Sequence, residues 1–498
     1  MNSEVPHKPW KDSLFTLATS GAVIALSMFV AGFLSRMLPT SQFEDYLFIR
    51  RFIAIVFPIM TISAGTGLTW FLASSQDESD RAKALKGTLF IVFLVNILFF
   101  IAVVLIPGII FKSYFFPVAG DLDILRMATF FWLIAYSGYV LLFSALRGNI
   151  RMADANMLSL TVNGLIPAAS LLCLYFFHKL SVESFLFVSG TGYSLCYFRI
   201  FVLAPHCFSD VKESLMLSFK TVISYSIPRV PAGFLLSFPA YIVPFFLMKS
   251  GLDSVSFLSA FMLLQTATYL TDPLGQVFLP SSAKLSGEKD FEKLSTMTSD
   301  LVSVSLHLGL IFTVQLFILS DELIRLWFGS SIPAETGGIA RILSFSLIPV
   351  LLYTPLRSIL DGIEKKPLIT HILTAGSIFC LIFCVFLTKS GHMSSSGGAY
   401  AIVASNILIC ILLYAATSSK IRIKISLGEL VVPGIVSIIT GGITILLLTS
   451  LLSDWRKSLS QTLLIVAISI ILNGIAIFVW LRFRAPKWWK SIREEFSK

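Results

Sequence analysis

Residues 126–148 read RMATFFWLIAYSGYVLLFSALRG. Between Arg126 and Arg147 stand 20 residues without a charge, about the length of helix that crosses the roughly 30 Å hydrocarbon core of a bilayer. Runs of this kind recur from end to end. They cover approximately 13–35, 50–73, 87–108, 124–146, 156–178, 184–204, 225–248, 255–279, 301–320, 338–360, 367–388, 396–417, 428–452 and 461–482. They are continuous, whereas barrel strands would alternate over about ten residues each. The expected fold class is therefore an all-α membrane protein with about fourteen transmembrane helices.

Composition agrees. Hydrophobic residues make up 56% of the 498, and charged ones 13%, against about 25% in soluble domains. No stretch between the runs is long enough for a separate soluble domain. The first run, about Leu14 to Phe33, is full length with no small-residue cleavage site after it, so it reads as a permanent helix. The net charge of +10 reports loop topology rather than nucleic-acid affinity, because Lys and Arg collect in cytoplasmic loops. With the N-terminus inside, 24 of the 38 basic residues fall in inside loops and 10 in outside ones. Both termini are then cytoplasmic. The six cysteines lie in or beside apolar runs without metal-ligand or disulfide-framework spacing, and no cofactor or metal is expected.

The chain also resembles itself at an offset of about 215 residues. Arg126 leads to Gly148 in one half and Arg341 to Gly362 in the other, while Pro58 pairs with Pro273. This favours two six-helix lobes, 1–205 and 206–418, followed by 419–498 as two additional helices and a basic tail. Parallel repeats of this kind belong to transporters, with the substrate path between the halves. A Gly-Lys-Ser/Thr phosphate loop is absent, so ATP hydrolysis is not expected. Glu44 and Asp45, placed in a short outside loop, are the only hint of a membrane glycan transferase.

Charges inside spans are costly and usually face protein or water. Four arginines fall inside the runs: Arg50, Arg51, Arg199 and Arg229. Arg229 sits in ISYSIPRVP (223–231) between Pro228 and Pro231, each lacking a backbone donor, so the helix start should be frayed there. A guanidinium beside unpaired amides suits a phosphate; the alternative is snorkelling to cytoplasmic headgroups. Arg50 and Arg51 point about 100° apart, so one would face the interior and the other snorkel. Arg199, near the end of its run, reads first as a snorkelling residue. Asp272, followed by Pro273, is a candidate proton or sodium site or the partner of an arginine. His307 and His371 read as core histidines or protonatable alternatives. A cavity with several arginines and few acids attracts anions.

The stretches LSRMLPTSQFEDYLFIRRF (34–52), ALRGN (145–149) and ISYSIPRVP resemble the polysaccharide-exporter, Wzx-type flippase, branch of the multidrug/oligosaccharidyl-lipid/polysaccharide (MOP) superfamily. The likeness covers essentially the whole chain and rests on layout more than on signature residues. It implies a V-shaped bundle that alternates between inward-open and outward-open states. It also implies movement of undecaprenyl-pyrophosphate-linked oligosaccharides across the bacterial inner membrane for capsule, exopolysaccharide or O-antigen synthesis. Arg229, Arg50, Arg51 and Arg199 would then contact the anionic headgroup. Partners would be membrane lipids, a glycan polymerase and export proteins. Residues 13–35 contain no Asp or Glu, unlike the drug-exporting branch, which leaves Asp272 as the ion-coupling candidate. A multidrug antiporter and a glycan polymerase or transferase stand as competing functions.

Overall fold

The computed structural model describes residues 9–484, except 75–76, 106–121, 150, 204–219, 221, 225, 253, 269–281, 283–284, 287–288, 330–331, 365–366 and 451–458. The described residues are helical, without strands. In chain order the helices are α1 (Pro9–Met37), α2 (Thr40–Met60), α3 (Ala64–Ser74), α4 (Glu78–Leu105), α5 (Leu122–Gly148), α6 (Met152–Leu160), α7 (Ile166–Phe176), α8 (Val182–Leu203) and α9 (Val230–Lys249). There follow α10 (Val255–Thr268), α11 (Phe291–Phe328), α12 (Thr336–Ser344), α13 (Leu347–Ile363), α14 (Leu368–Lys389), α15 (Ser395–Ser418), α16 (Leu427–Ser450) and α17 (Leu459–Arg484). Hydrocarbon offers no partner for backbone amides and carbonyls, so a chain this apolar pairs them within each helix.

Each of the fourteen apolar runs contains helix. Eight described helices are long and apolar enough to cross a membrane, or ten when each of two bent pairs counts as one span. The bends are at α2–α3, by 51°, and at α12–α13, by 49°. Two tight exits show how helices end here. Gly251 and Gly391 take φ of +72°, which glycine alone adopts cheaply. The next amides, of Leu252 and His392, reach back to the carbonyls of Leu247 and Leu387, at 3.0 and 2.9 Å.

The described chain forms two compact units: Ala18–Leu258 with Lys365–Ser394, and Met1–Leu17 with Ser259–Glu364 and Ser395–Lys498. In the first, α5 packs along α8, and α9 packs on both α2 and α14. Close approach at the α5–α8 seam needs glycine: a Cβ on Gly138 would stand 2.6 Å from the Tyr197 ring. In the second, the 38-residue α11 spans about 57 Å and packs on α12, α13, α16 and α17. Its start is capped by Asp290, whose carboxylate accepts the Lys293 amide at 3.0 Å.

The α2–α3 bend stores backbone strain. Ile62 and Ser63 have φ of +52° and +48°, a region that a β-branched residue enters at a cost. The Ser63 amide bonds the Pro58 carbonyl at 2.9 Å, and the Thr61 hydroxyl bonds the Phe57 carbonyl at 3.0 Å. Pro58 cannot donate, so the helix loses one rung just before it turns.

Candidate functional site

The first unit collects the buried cations. Arg51 and Arg229 are 5% and 7% exposed, and Arg50 is half-buried with its guanidinium 5.8 Å from the centre of the Tyr46 ring. The sequence places one of the adjacent pair inward and the other outward, and the burial of Arg51 relative to Arg50 identifies which. Arg199 is exposed. Asp272 lies outside the described residues, as does Cys207.

Arg229 ends a single 3-10 turn, Ile227–Arg229, that leads into α9. The frayed start expected from Pro228 and Pro231 is therefore real, and it is held from the side. The Thr370 hydroxyl on α14 donates to the Pro228 carbonyl at 3.1 Å. Seven residues on, the Ser377 hydroxyl donates to the Leu235 carbonyl at 2.9 Å. Pro239 removes the amide that would have paired with Leu235 in a regular helix, so Ser377 replaces the missing donor. The two bonds keep the same sequence offset, as parallel helices in fixed register must.

Arg229 and the Arg50–Arg51 pair are not brought together. A Cβ on Gly233 would lie 2.7 Å from Pro58, and the rings of Phe48 and Tyr241 are 5.2 Å apart. The helices α2 and α9 are thus antiparallel, with Pro58 beside Gly233. From that contact Arg229 lies roughly 6 Å one way and Arg51 roughly 10 Å the other, at 1.5 Å per residue. The cations sit on separate levels about 16 Å apart along α2.

Glu44 and Asp45 are in the second turn of α2, not in a loop, because nothing from Ser41 to Phe57 breaks the helix that begins at Thr40. Glu44 accepts the Ser254 hydroxyl at 2.5 Å. In the second unit His307 is fully buried on α11, and Glu322 is 8% exposed. His371, on α14 of the first unit, is exposed.

One constellation escaped the sequence. Trp132, Tyr136, Tyr139 and Phe143 follow a helical spacing along one face of α5, and Trp132 stacks on Tyr136 with centroids 4.7 Å apart. Between α6 and α7 the chain makes a π-helical turn, Thr161–Leu165. It places Asn163 so that its amide accepts from the Tyr136 hydroxyl at 2.9 Å and donates to that of Tyr139 at 2.8 Å. The Trp132 ring also meets the Tyr193 ring edge-on, with centroids 5.2 Å apart, and the neighbours of Tyr193 include Arg50 and Tyr46. At the other end Arg147, assigned to a loop by the sequence, is half-buried in the last turn of α5, over the Phe143 ring at 5.5 Å. The aromatic spacing was readable; the π-turn has no sequence signature, since it adds a residue to a turn without changing residue type.

No protein-family model matches this chain, and no curated protein does. Solved structures do. A lipid II flippase, MurJ, in an inward closed conformation is 17% identical with a TM-score of 0.61, over 94% of this chain and 99% of that one. A MOP superfamily transporter from Pyrococcus furiosus is 14% identical with a TM-score of 0.64, over 83% and 96%. A eukaryotic MATE transporter, AtDTX14, is 15% identical with a TM-score of 0.62, over 86% and 99%. The chain is thus similar in fold to MOP superfamily transporters and flippases.

Proposed function

We propose that this chain is a Wzx-type flippase that moves undecaprenyl-pyrophosphate-linked oligosaccharide across the bacterial inner membrane by alternating access. The observation that carries the reading is the sign of the buried charge in the first unit. Arg51 is buried within α2 and Arg229 at the 3-10 turn that opens α9, and no carboxylate of that unit is buried among the described residues, Glu44 and Asp45 being half-buried. Guanidinium groups in a low-dielectric interior favour a polyanion over a cationic drug. The fold similarity to a lipid II flippase supports a lipid-linked substrate. The Pyrococcus transporter is described as having a binding pocket of reversed polarity that suggests a different function; charge sign is likewise what separates the drug-antiporter reading from this one.

The proposed lobes are 1–205 and 206–418, with 419–498 as an added helix pair and tail and both termini cytoplasmic. In this arrangement Arg229 captures pyrophosphate from the inner leaflet. Arg50 and Arg51, at a level too far to share the same phosphate, receive it one step further across, while Arg199 attracts it at the surface. Two levels of cation spread the cost of carrying the anion, because each step then moves it only part of the way between favourable sites. An inside-negative potential favours outward anion movement by about 2.3 kcal/mol per charge per 100 mV. Asp272 is the proposed coupling residue. The glycan polymerase and export proteins of the same assembly line are the proposed partners, and the chain itself performs no bond chemistry.

The test is transbilayer movement in proteoliposomes of an undecaprenyl-pyrophosphate oligosaccharide, with a cationic dye as control, for wild type and Arg229→Ala. Movement of the lipid that collapses in the variant, with no dye transport, supports the flippase. Dye transport without lipid movement overturns it in favour of the antiporter.

A further inference from the structure

We infer that the aromatic face of α5, together with Asn163, is a carbohydrate subsite that holds the glycan portion of the substrate. The inference deepens the flippase reading and rests on it for the identity of the carrier, but the subsite stands on its own geometry.

The rings of Trp132, Tyr136, Tyr139 and Phe143 run for about 16 Å along the helix, the length of a short oligosaccharide. They are not all sealed in packing: Trp132, Tyr136, Phe143 and Asn163 are half-buried, whereas Phe130 and Leu133 on the same helix are 1% and 0% exposed. Sugars present a face of C–H groups and an edge of hydroxyls. A partly open aromatic ring meets the first through its negative face, and amide and phenol groups meet the second.

Asn163 provides that polar edge at a structural expense. A π-turn is rare and is found frequently at functional sites; here the Ile166 amide bonds the Thr161 carbonyl five residues back. The extra residue rotates Asn163 onto the α5 side, where it joins the two tyrosine hydroxyls and approaches Ser159 Oγ at 3.2 Å. Cations close the row at both ends, with Arg50 near Tyr193 and Arg147 over Phe143. A neutral sugar stretch flanked by charge is therefore accommodated lengthwise, with the phosphate end toward an arginine.

Level supports this placement. The rings of Phe57 and Tyr136 are 5.2 Å apart, and Phe57 precedes Pro58, which abuts the Gly233 turn of α9. Along α2, the middle of the aromatic row stands within a turn or two of Arg229.

The experiment is saturation-transfer NMR on the full chain in detergent micelles, with free maltotriose, N,N′-diacetylchitobiose and a sialylated trisaccharide as probes. Transfer to pyranose C–H protons of at least one probe is expected, with affinity about tenfold weaker in Trp132→Leu and Tyr136→Leu. Ring-retaining Trp132→Phe should keep most of it, and equal thermal melting of the variants excludes unfolding as the cause. Absence of transfer from wild type to any probe, or transfer unchanged in both leucine variants, overturns the subsite. The lipid-movement assay separates the two readings. Lipid flipped without sugar binding sinks the subsite alone, whereas sugar bound without lipid movement sinks the flippase alone.

Discussion

The two units handle buried polarity in opposite ways. In the first, the ionisable side chains of Arg, Lys, His, Asp or Glu type buried among described residues are Arg51 and Arg229; in the second they are His307 and Glu322. The first also contains the strained α2–α3 bend, the π-turn and a prolyl helix in which Ser377 serves the Leu235 carbonyl deprived of the Pro239 amide, while Thr370 braces the Pro228 carbonyl. The second relies on neutral hydrogen bonds around one long helix. Thr444 on α16 donates to Gln315 of α11 at 3.2 Å and lies 3.4 Å from Ser469 of α17. A Cβ on Gly441 would approach Val314 of α11 at 2.5 Å, so α16 packs there through a small residue, as helices in lipid do. Irregular backbone thus accompanies the buried arginines of the first unit, whereas the second, which has its own 49° bend at α12–α13, joins α11 to α16 and α16 to α17 through hydroxyl and amide groups.

That contrast can be broken at several points. The largest effect is expected from Gly233→Leu, since even a Cβ would stand 2.7 Å from Pro58. Overpacking of this kind costs about 1–3 kcal/mol, so a lowered melting temperature and loss of transport should appear together. A variant that melts and transports like wild type would mean that the α2–α9 contact is not the pivot. Next comes charge. Arg51→Met should reduce lipid movement by about tenfold, equivalent to about 1.4 kcal/mol, while Glu322→Gln in the other unit should leave substrate affinity unchanged. Equal loss in both would erase the distinction between the units.

Ser377→Ala leaves the Leu235 carbonyl without its donor and should destabilise the protein by about 1 kcal/mol, read by thermal unfolding in detergent. Thr370→Val acts on the turn carrying Arg229, so it should raise the apparent KM for lipid more than it lowers stability. The smallest effect belongs to Thr444→Val, at about 0.6 kcal/mol, typical of hydrogen bonds between membrane helices. It should not alter transport; a transport defect there would give the second unit a part in substrate handling.

Much of the site was legible before any coordinates. Pro228 and Pro231 announce a broken helix start because proline lacks the amide that a helix needs, and the 3-10 turn at Ile227–Arg229 is the result. What braces this segment was not legible, because Thr370 and Ser377 stand 142 residues away and nothing local marks them. Hydropathy places Glu44 and Asp45 in a loop because it weighs composition, whereas the helix continues wherever its backbone stays paired, irrespective of charge near its end.

By itself the sequence determined that this protein is a bundle of apolar helices with arginines inside them, because transfer free energy is a property of each segment's own residues. Only the tertiary structure decided that Arg51 rather than Arg50 is buried, that Arg229 stands on a different level from both, and that Asn163 reaches two tyrosines. Those outcomes depend on helix rotation, register and one inserted residue in a turn, which are set by packing between segments far apart in the chain.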